Sequence, residues 1–179
     1  MTQESSAVQR GEITQEVVDT LIDLMADVIG RMGVDIVLKQ FPAGDLPPGK
    51  ELVFRFAEET EKLFGSSGSY AVLRQVGRDL AKRVASSIPE DQWQHALEQS
   101  LSDFGFAACI TSTEEDASIN ECVFYPILEE RGLQPVGHAV CWAGWGFIEG
   151  FMKLMKGVRG IQWVERVKES NSCRFAYLK

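Results

Sequence analysis

The stretch FGFAACITSTEEDASINECVFYPI, residues 104–127, decides the fold. Its first part, FGFAACITST, alternates apolar and polar residues. EEDAS (114–118) is an acidic turn, and SINECVFYPI (118–127) alternates again. Period-two patterning on both sides of a short polar break predicts an antiparallel hairpin over 105–126. Everything before Gly105 has a different period. Val17, Leu21, Leu24, Met25 and Val28 recur at three- and four-residue steps, which predicts a helix from Ile13 onward. A second short helix is expected over 34–41. FPAGDLPPGK (41–50) reads as a loop. Leu52, Phe56, Glu59 and Leu63 mark a third helix closed by Gly65, and 66–69 is a break. Val72, Val76, Leu80 and Val84 form one stripe over 70–87. Pro89 then opens a helix running to about Asp103, with Trp93 and Leu97 inward.

After the hairpin, Val136 to Lys156 reads as a long helix ended by Gly157. Residues 161–167 form a strand, KESNS a turn and 173–178 a last strand. The order predicts an α+β fold: N-terminal helices, then an antiparallel sheet of about four strands, in two hairpins separated by a long Gly-rich helix. Residues 1–12, polar and acidic, are expected to be a flexible N-terminus. Residues 13–179 form a single α+β domain.

Composition narrows the function. Eighteen Lys and Arg against 26 Asp and Glu leave a net charge of −8 over 179 residues. Nucleic-acid binding needs a basic stripe, so that class is excluded, as is docking on an anionic membrane. The start lacks a basic segment followed by an apolar one. The most apolar stretch, 136–155, is interrupted by His138, Glu149 and Lys153, too short to span a bilayer. These features predict a cytoplasmic protein with reduced thiols. No Gly-rich phosphate cradle, nucleophile elbow, C-x-x-C or H-x-x-x-H is present.

Two features carry chemistry. CWAGWGFIEGF (141–151) places Gly144, Gly146 and Gly150 among large aromatics. Each interior Gly costs a helix about 1 kcal/mol against Ala. A smooth Gly face permits close approach of another backbone, through helix-on-sheet packing or as the wall of an apolar pocket. The second feature is Cys141, Glu165 and Cys173. A hairpin brings the last two onto neighbouring strands beneath the helix, and two thiolates with a carboxylate are a plausible zinc donor set. His138, three residues before Cys141, is the one base placed to activate a thiol.

CWAGWGFIEGF followed by VRGIQWVERVKESNSCRF resembles the end of 4-vinyl-reductase-type small-molecule (hydrocarbon) binding domains. YAVLRQVGRDLAKRVA, with its central Gly77, resembles their upstream helix. Those domains share a fold with the TRAPP vesicle-tethering subunits and the haem nitric-oxide-binding domains. The resemblance implies a structural zinc site at Cys141, Glu165 and Cys173, with Lys168 standing where the family has a further Cys. Cys122 falls on a strand where such domains often carry a Cys. The Tyr, Ser and Arg clamp of the haem-binding branch has no counterpart in this chain.

The resulting expectation is a stand-alone sensor or carrier for a small apolar or aromatic ligand, working as a homodimer or with a partner protein. The ligand is expected in a cavity of roughly 300 Å³ or more, walled by Phe106, Phe124, Trp142, Trp145, Phe151 and Trp163. The alternatives are an enzyme, either a tetrapyrrole vinyl reductase or a small cysteine hydrolase, and a structural adaptor of the tethering type.

Overall fold

A computed structural model describes residues 12–42 and 46–179. The expected flexible N-terminus falls outside these residues except for Glu12. Helix α1 spans Gln15–Leu38 and is broken at Gly30 (φ 77°, ψ 156°). Helix α2 spans Gly49–Ser86 and is broken at Gly65 (φ 70°, ψ 169°). Both breaks require a positive φ that L-residues avoid, so each long helix is two helices end to end, as the punctuation at Gly65 predicts. A 3₁₀ turn at Glu90–Gln92 leads into α3, Trp93–Asp103.

Strands β1 (Cys109–Ser112) and β2 (Asp116–Asn120) form the first hairpin. It is shorter than the alternating pattern predicts. Glu121 takes a left-handed conformation (φ 52°). Pro126, which has no N–H for a ladder, sits in the first turn of the short helix α4, Tyr125–Glu130. The apolar run VFYPI is therefore helix start, not strand. Helix α5, Val140–Lys156, ends on left-handed Gly157. Strands β3 (Gly160–Val167) and β4 (Ser172–Leu178) complete an antiparallel sheet of order β1-β2-β4-β3.

Helix α5 is the centre. One side meets the sheet, where Trp145 Nε1 donates to the Ile161 carbonyl at 3.1 Å. Its glycine side meets α2, not the sheet. A Cβ on Gly77 would fall on the Ala143 carbonyl oxygen, and one on Gly146 would fall on that of Arg74. A Cβ on Gly150 would lie 2.7 Å from Ala81 Cβ. The two helix backbones therefore touch.

A buried ion cluster closes the same seam. Glu149, 4% exposed, takes Arg74 at 2.7 Å, Arg78 at 3.0 Å and Lys153 at 3.1 Å. Burial alone would raise the Glu149 pKa. Hydrogen bonds from Arg78 and Lys153, with the charge of Arg74, outweigh it and hold the carboxyl below its ordinary value of 4.5.

Gly146→Ala drives a methyl into the α2 backbone and should cost about 2–3 kcal/mol by urea unfolding. Gly144→Ala, whose Cβ meets only Ile119 Cδ1 at 3.4 Å, should cost nothing or stabilise by up to ~1 kcal/mol. The depressed Glu149 pKa means that its contribution is present above pH 4.5 and is lost as pH falls through the folded value. Glu149→Gln leaves Arg74 and Arg78 without their partner and should cost about 2 kcal/mol at pH 7. The difference from the parent chain should shrink as pH falls below 4.5 in denaturant titrations.

Candidate functional site

Two apolar cavities flank the first turns of α5. The larger, about 90 Å³, lies between α1, α2, α3, the sheet and α5. Four aromatic rings line it: Phe106 and Phe124 from the connections on either side of the first hairpin, Phe147 on α5 and Phe175 on β4. The smaller, about 60 Å³, lies between α1, α2 and α5 and is lined by aliphatic side chains and Phe56. Neither reaches the 300 Å³ expected from the sequence, because the α2–α5 contact leaves little space between the helices.

Of the six predicted wall residues, Phe106 and Phe124 line the larger cavity. The other four are placed elsewhere. Trp142 is buried, its Nε1 donating to the Val136 carbonyl at 2.7 Å, and it packs edge-on against Tyr70. Trp145 lies under the Arg74 guanidinium, 4.6 Å from its ring centroid. Phe151 packs on Phe147 in the core at 5.2 Å between centroids. Trp163 stands half-buried on β3, and its buried Nε1 has no hydrogen-bond partner. The sequence reading does not name Phe147, Phe175 or Ala143 as walls, and of the Gly face it offers as a pocket wall only Gly144 lines the cavity. Spacing carried a usable signal: residues 140, 141, 144 and 147 share one helical face.

Among the described residues, the only sulfur atoms in the larger cavity's lining belong to Cys122, Cys141 and Cys173. Burial raises the Cys122 pKa and pushes Cys141 up to about 12, so both are neutral thiols near pH 7. Arg166 Nη1 lies 3.8 Å from Cys173 Sγ, and its guanidinium stacks on Tyr125, 3.5 Å from the ring centroid. Cys109 lies on β1 outside this lining.

The structure does not assemble the expected metal triad. Cys173 pairs across the sheet with Ile119 and Arg166, and its side chain faces the cavity. Glu165 pairs with Arg174, one residue out of phase with Cys173, and so projects from the opposite face of the pleat. There its carboxylate is held by Arg174 Nη2 at 2.7 Å. The strand adjacency predicted from the sequence is correct, but alternation sends the two ligands apart. Among the described residues, no group of three His, Cys, Asp or Glu side chains could hold a metal ion.

His138 does not serve Cys141. It lies before the first residue of α5, stacked on Phe54 at 4.4 Å between centroids. Its Nδ1 accepts from the Val140 N–H at 3.2 Å, so its Nε2 carries the hydrogen that faces Glu58 Oε1 at 3.3 Å. The ring is thus committed to capping α5 and tying it to α2. No thiol–imidazole pair forms from these two residues, and Cys141 lacks the base a hydrolase needs.

Comparison with solved structures places this geometry among known folds. An unliganded Fe(II) H-NOX protein from K. algicida matches with a TM-score of 0.55 at 11% identity, over 95% of this chain and 96% of that one. A point mutant of that protein matches at 0.57 and 12%, over 91% and 94%. An oxygen-binding H-NOX domain related to soluble guanylate cyclases, in its oxygen complex, matches at 0.53 and 18%, over 92% of each chain. No family model matches the chain, and no curated protein is significantly similar. At these identities the likeness concerns fold alone: the chain has the H-NOX-like α+β fold.

Proposed function

We propose that this chain is a small-molecule-binding domain of sensor or carrier type whose ligand is apolar and is not haem. The observation that carries the reading is the chemistry of the cavity lining. Among the described residues, no His, Lys, Arg, Asp or Glu lines either cavity. Haem needs an axial donor and, for its propionates, cations. The donors on offer are three thiols and Met25. Cysteine ligates haem iron as thiolate, and Cys122 and Cys141 are held as thiols by burial; a Met thioether can ligate haem iron, but Met25 lines only the smaller cavity of about 60 Å³. His95 is exposed on α3, and His138 faces Glu58. The cavities are also far smaller than the 300–1,000 Å³ typical of sites for larger ligands. The haem chemistry of the H-NOX neighbours therefore does not fit these residues.

An apolar ligand does fit. It requires burial and no hydrogen-bond partner, which is what a lining of Phe, Leu, Val and Ala offers. This agrees with the hydrocarbon-binding character that the vinyl-reductase-type resemblance implies. A reductase reading has no nicotinamide or flavin fingerprint to support it. A structural zinc at Cys141, Glu165 and Cys173 would require Glu165 to leave Arg174 and cross the sheet, so zinc is not part of this proposal. The homodimer part of the reading rests on exposed apolar side chains beside the helix breaks, Met32 and Ile36 on α1 with Leu63 and Phe64 on α2.

Four measurements on the purified chain test the reading. Titration with hemin should give no saturable one-to-one Soret shift, whereas 1-hexanol should raise the unfolding temperature in a concentration-dependent way. A stoichiometric haem spectrum would overturn the proposal. Elemental analysis should find zinc well below one equivalent. Light scattering after size exclusion reports the oligomer, with a monomer counting against the homodimer.

A further inference from the structure

The three thiols that line the larger cavity, Cys122, Cys141 and Cys173, differ in their surroundings. Burial holds Cys122 and Cys141 as neutral thiols. Cys173 stands opposite Arg166 on the β3–β4 ladder, so both side chains leave the same face of the sheet. Arg166 Nη1 donates to Cys173 Sγ at 3.8 Å. Stacking on Tyr125 and a hydrogen bond from Nη2 to Asn171 Oδ1 hold the guanidinium in place. Among the described residues, no carboxylate pairs with this cation. Its Nε is buried and has no acceptor. A fixed guanidinium beside a sulfur favours the thiolate. A buried N–H without a partner is a place for an oxygen that the chain does not itself supply.

We infer that Cys173 is a nucleophile that captures small α,β-unsaturated carbonyl compounds in the larger cavity, with the Arg166 guanidinium holding the thiolate and receiving the carbonyl oxygen. The inference rests on the apolar-ligand reading above and names the ligand's chemistry. An apolar cavity of about 150 Å³ takes a benzene ring, so one of about 90 Å³ takes about four non-hydrogen atoms, the size of acrolein. Capture is a conjugate addition. The Cys173 sulfur bonds to the terminal alkene carbon, and the π pair of the C=C bond moves to the carbonyl as an enolate. The proton given up by the thiol returns to the α-carbon. Nothing leaves and nothing is oxidised. The charge that develops on oxygen is the kind a guanidinium with an unspent N–H stabilises.

The test is alkylation of the intact chain by acrolein, mapped by peptide mass spectrometry after borohydride reduction. Cys109 is the internal standard. It is partly exposed like Cys173, but its sulfur faces the neutral amide of Asn120, at 3.6 Å. Near pH 7, Cys173 should react about tenfold faster than Cys109. N-phenylmaleimide, too large for the cavity, should lose that preference. Arg166→Gln should slow Cys173 about tenfold, move its rate–pH profile to higher pH and leave Cys109 within about twofold. Arg166→Lys keeps a cation and should restore part of the rate. Circular dichroism confirms the fold of each variant. Equal rates at Cys173 and Cys109, first reaction at Cys122 or Cys141, or an Arg166→Gln chain that reacts like the parent would overturn the inference. So would N-phenylmaleimide labelling Cys173 as selectively as acrolein does, since the thiol would then react from solvent. In each of these cases a rise in unfolding temperature with 1-hexanol leaves the apolar-ligand reading standing, and no rise overturns that reading as well.

Discussion

The contact between the α2 and α5 backbones is the constraint on which the rest depends. Three glycines, Gly77, Gly146 and Gly150, let the helices approach until carbonyl oxygens replace side chains as the packing surface. Interior glycine disfavours a helix, and this chain accepts that cost for proximity. Glu149, paired with Arg74 and Arg78 of α2, then fixes the register of the seam. With α5 fixed, the sheet has one surface to cover and α1 has one groove to fill. The small cavities are what remains after a close helix pair and a twisted sheet meet around α5.

The site is defined by what its surface withholds. Three charged or titratable groups near α5 are paired away from the cavities: Glu149 in the seam, His138 on Glu58, Glu165 on Arg174. Among the described residues, the lining side chains offer only carbon and the sulfurs of three cysteines and Met25. In such surroundings a charged ligand would lose its hydration without recompense. Under the proposed reading, the H-NOX-like fold carries a site of different chemistry from that of its haem-bearing neighbours, an instance of function residing in the site and not the scaffold.

Much of the fold was legible in the sequence. The change of period at Gly105, the stops at Gly65 and Gly157 and the closing hairpin were all readable, because local backbone preference and the final structure agree there. The first hairpin is shorter than the alternation over SINECVFYPI (118–127) predicts because that stretch contains Pro126, and the constraint on the backbone outranks the pattern. The site was less legible. Whether Glu165 and Cys173 share a face depends on a register shift between Trp163 and Glu165 in the β3–β4 pairing. A sequence indicates that two strands are neighbours more readily than which residues stand opposite each other. The aromatic walls divided for a similar reason: Trp142 and Trp145 each had an N–H to satisfy and turned toward backbone carbonyls, leaving the cavity to phenylalanines, which carry no such obligation.

Helix α1 packs chiefly on α2, yet it supplies Val18, Leu21, Ile22 and Met25 to the cavity walls. The element that closes the interior is therefore not among those that build it. In a cooperative unit of this kind, local opening of one peripheral helix requires far less free energy than global unfolding. A guest held against α1 would join two parts of the chain that are otherwise weakly coupled. Occupancy would then be felt as rigidity across the outer face of the helical layer, an entropic signal carried without any change in the sheet or in α5.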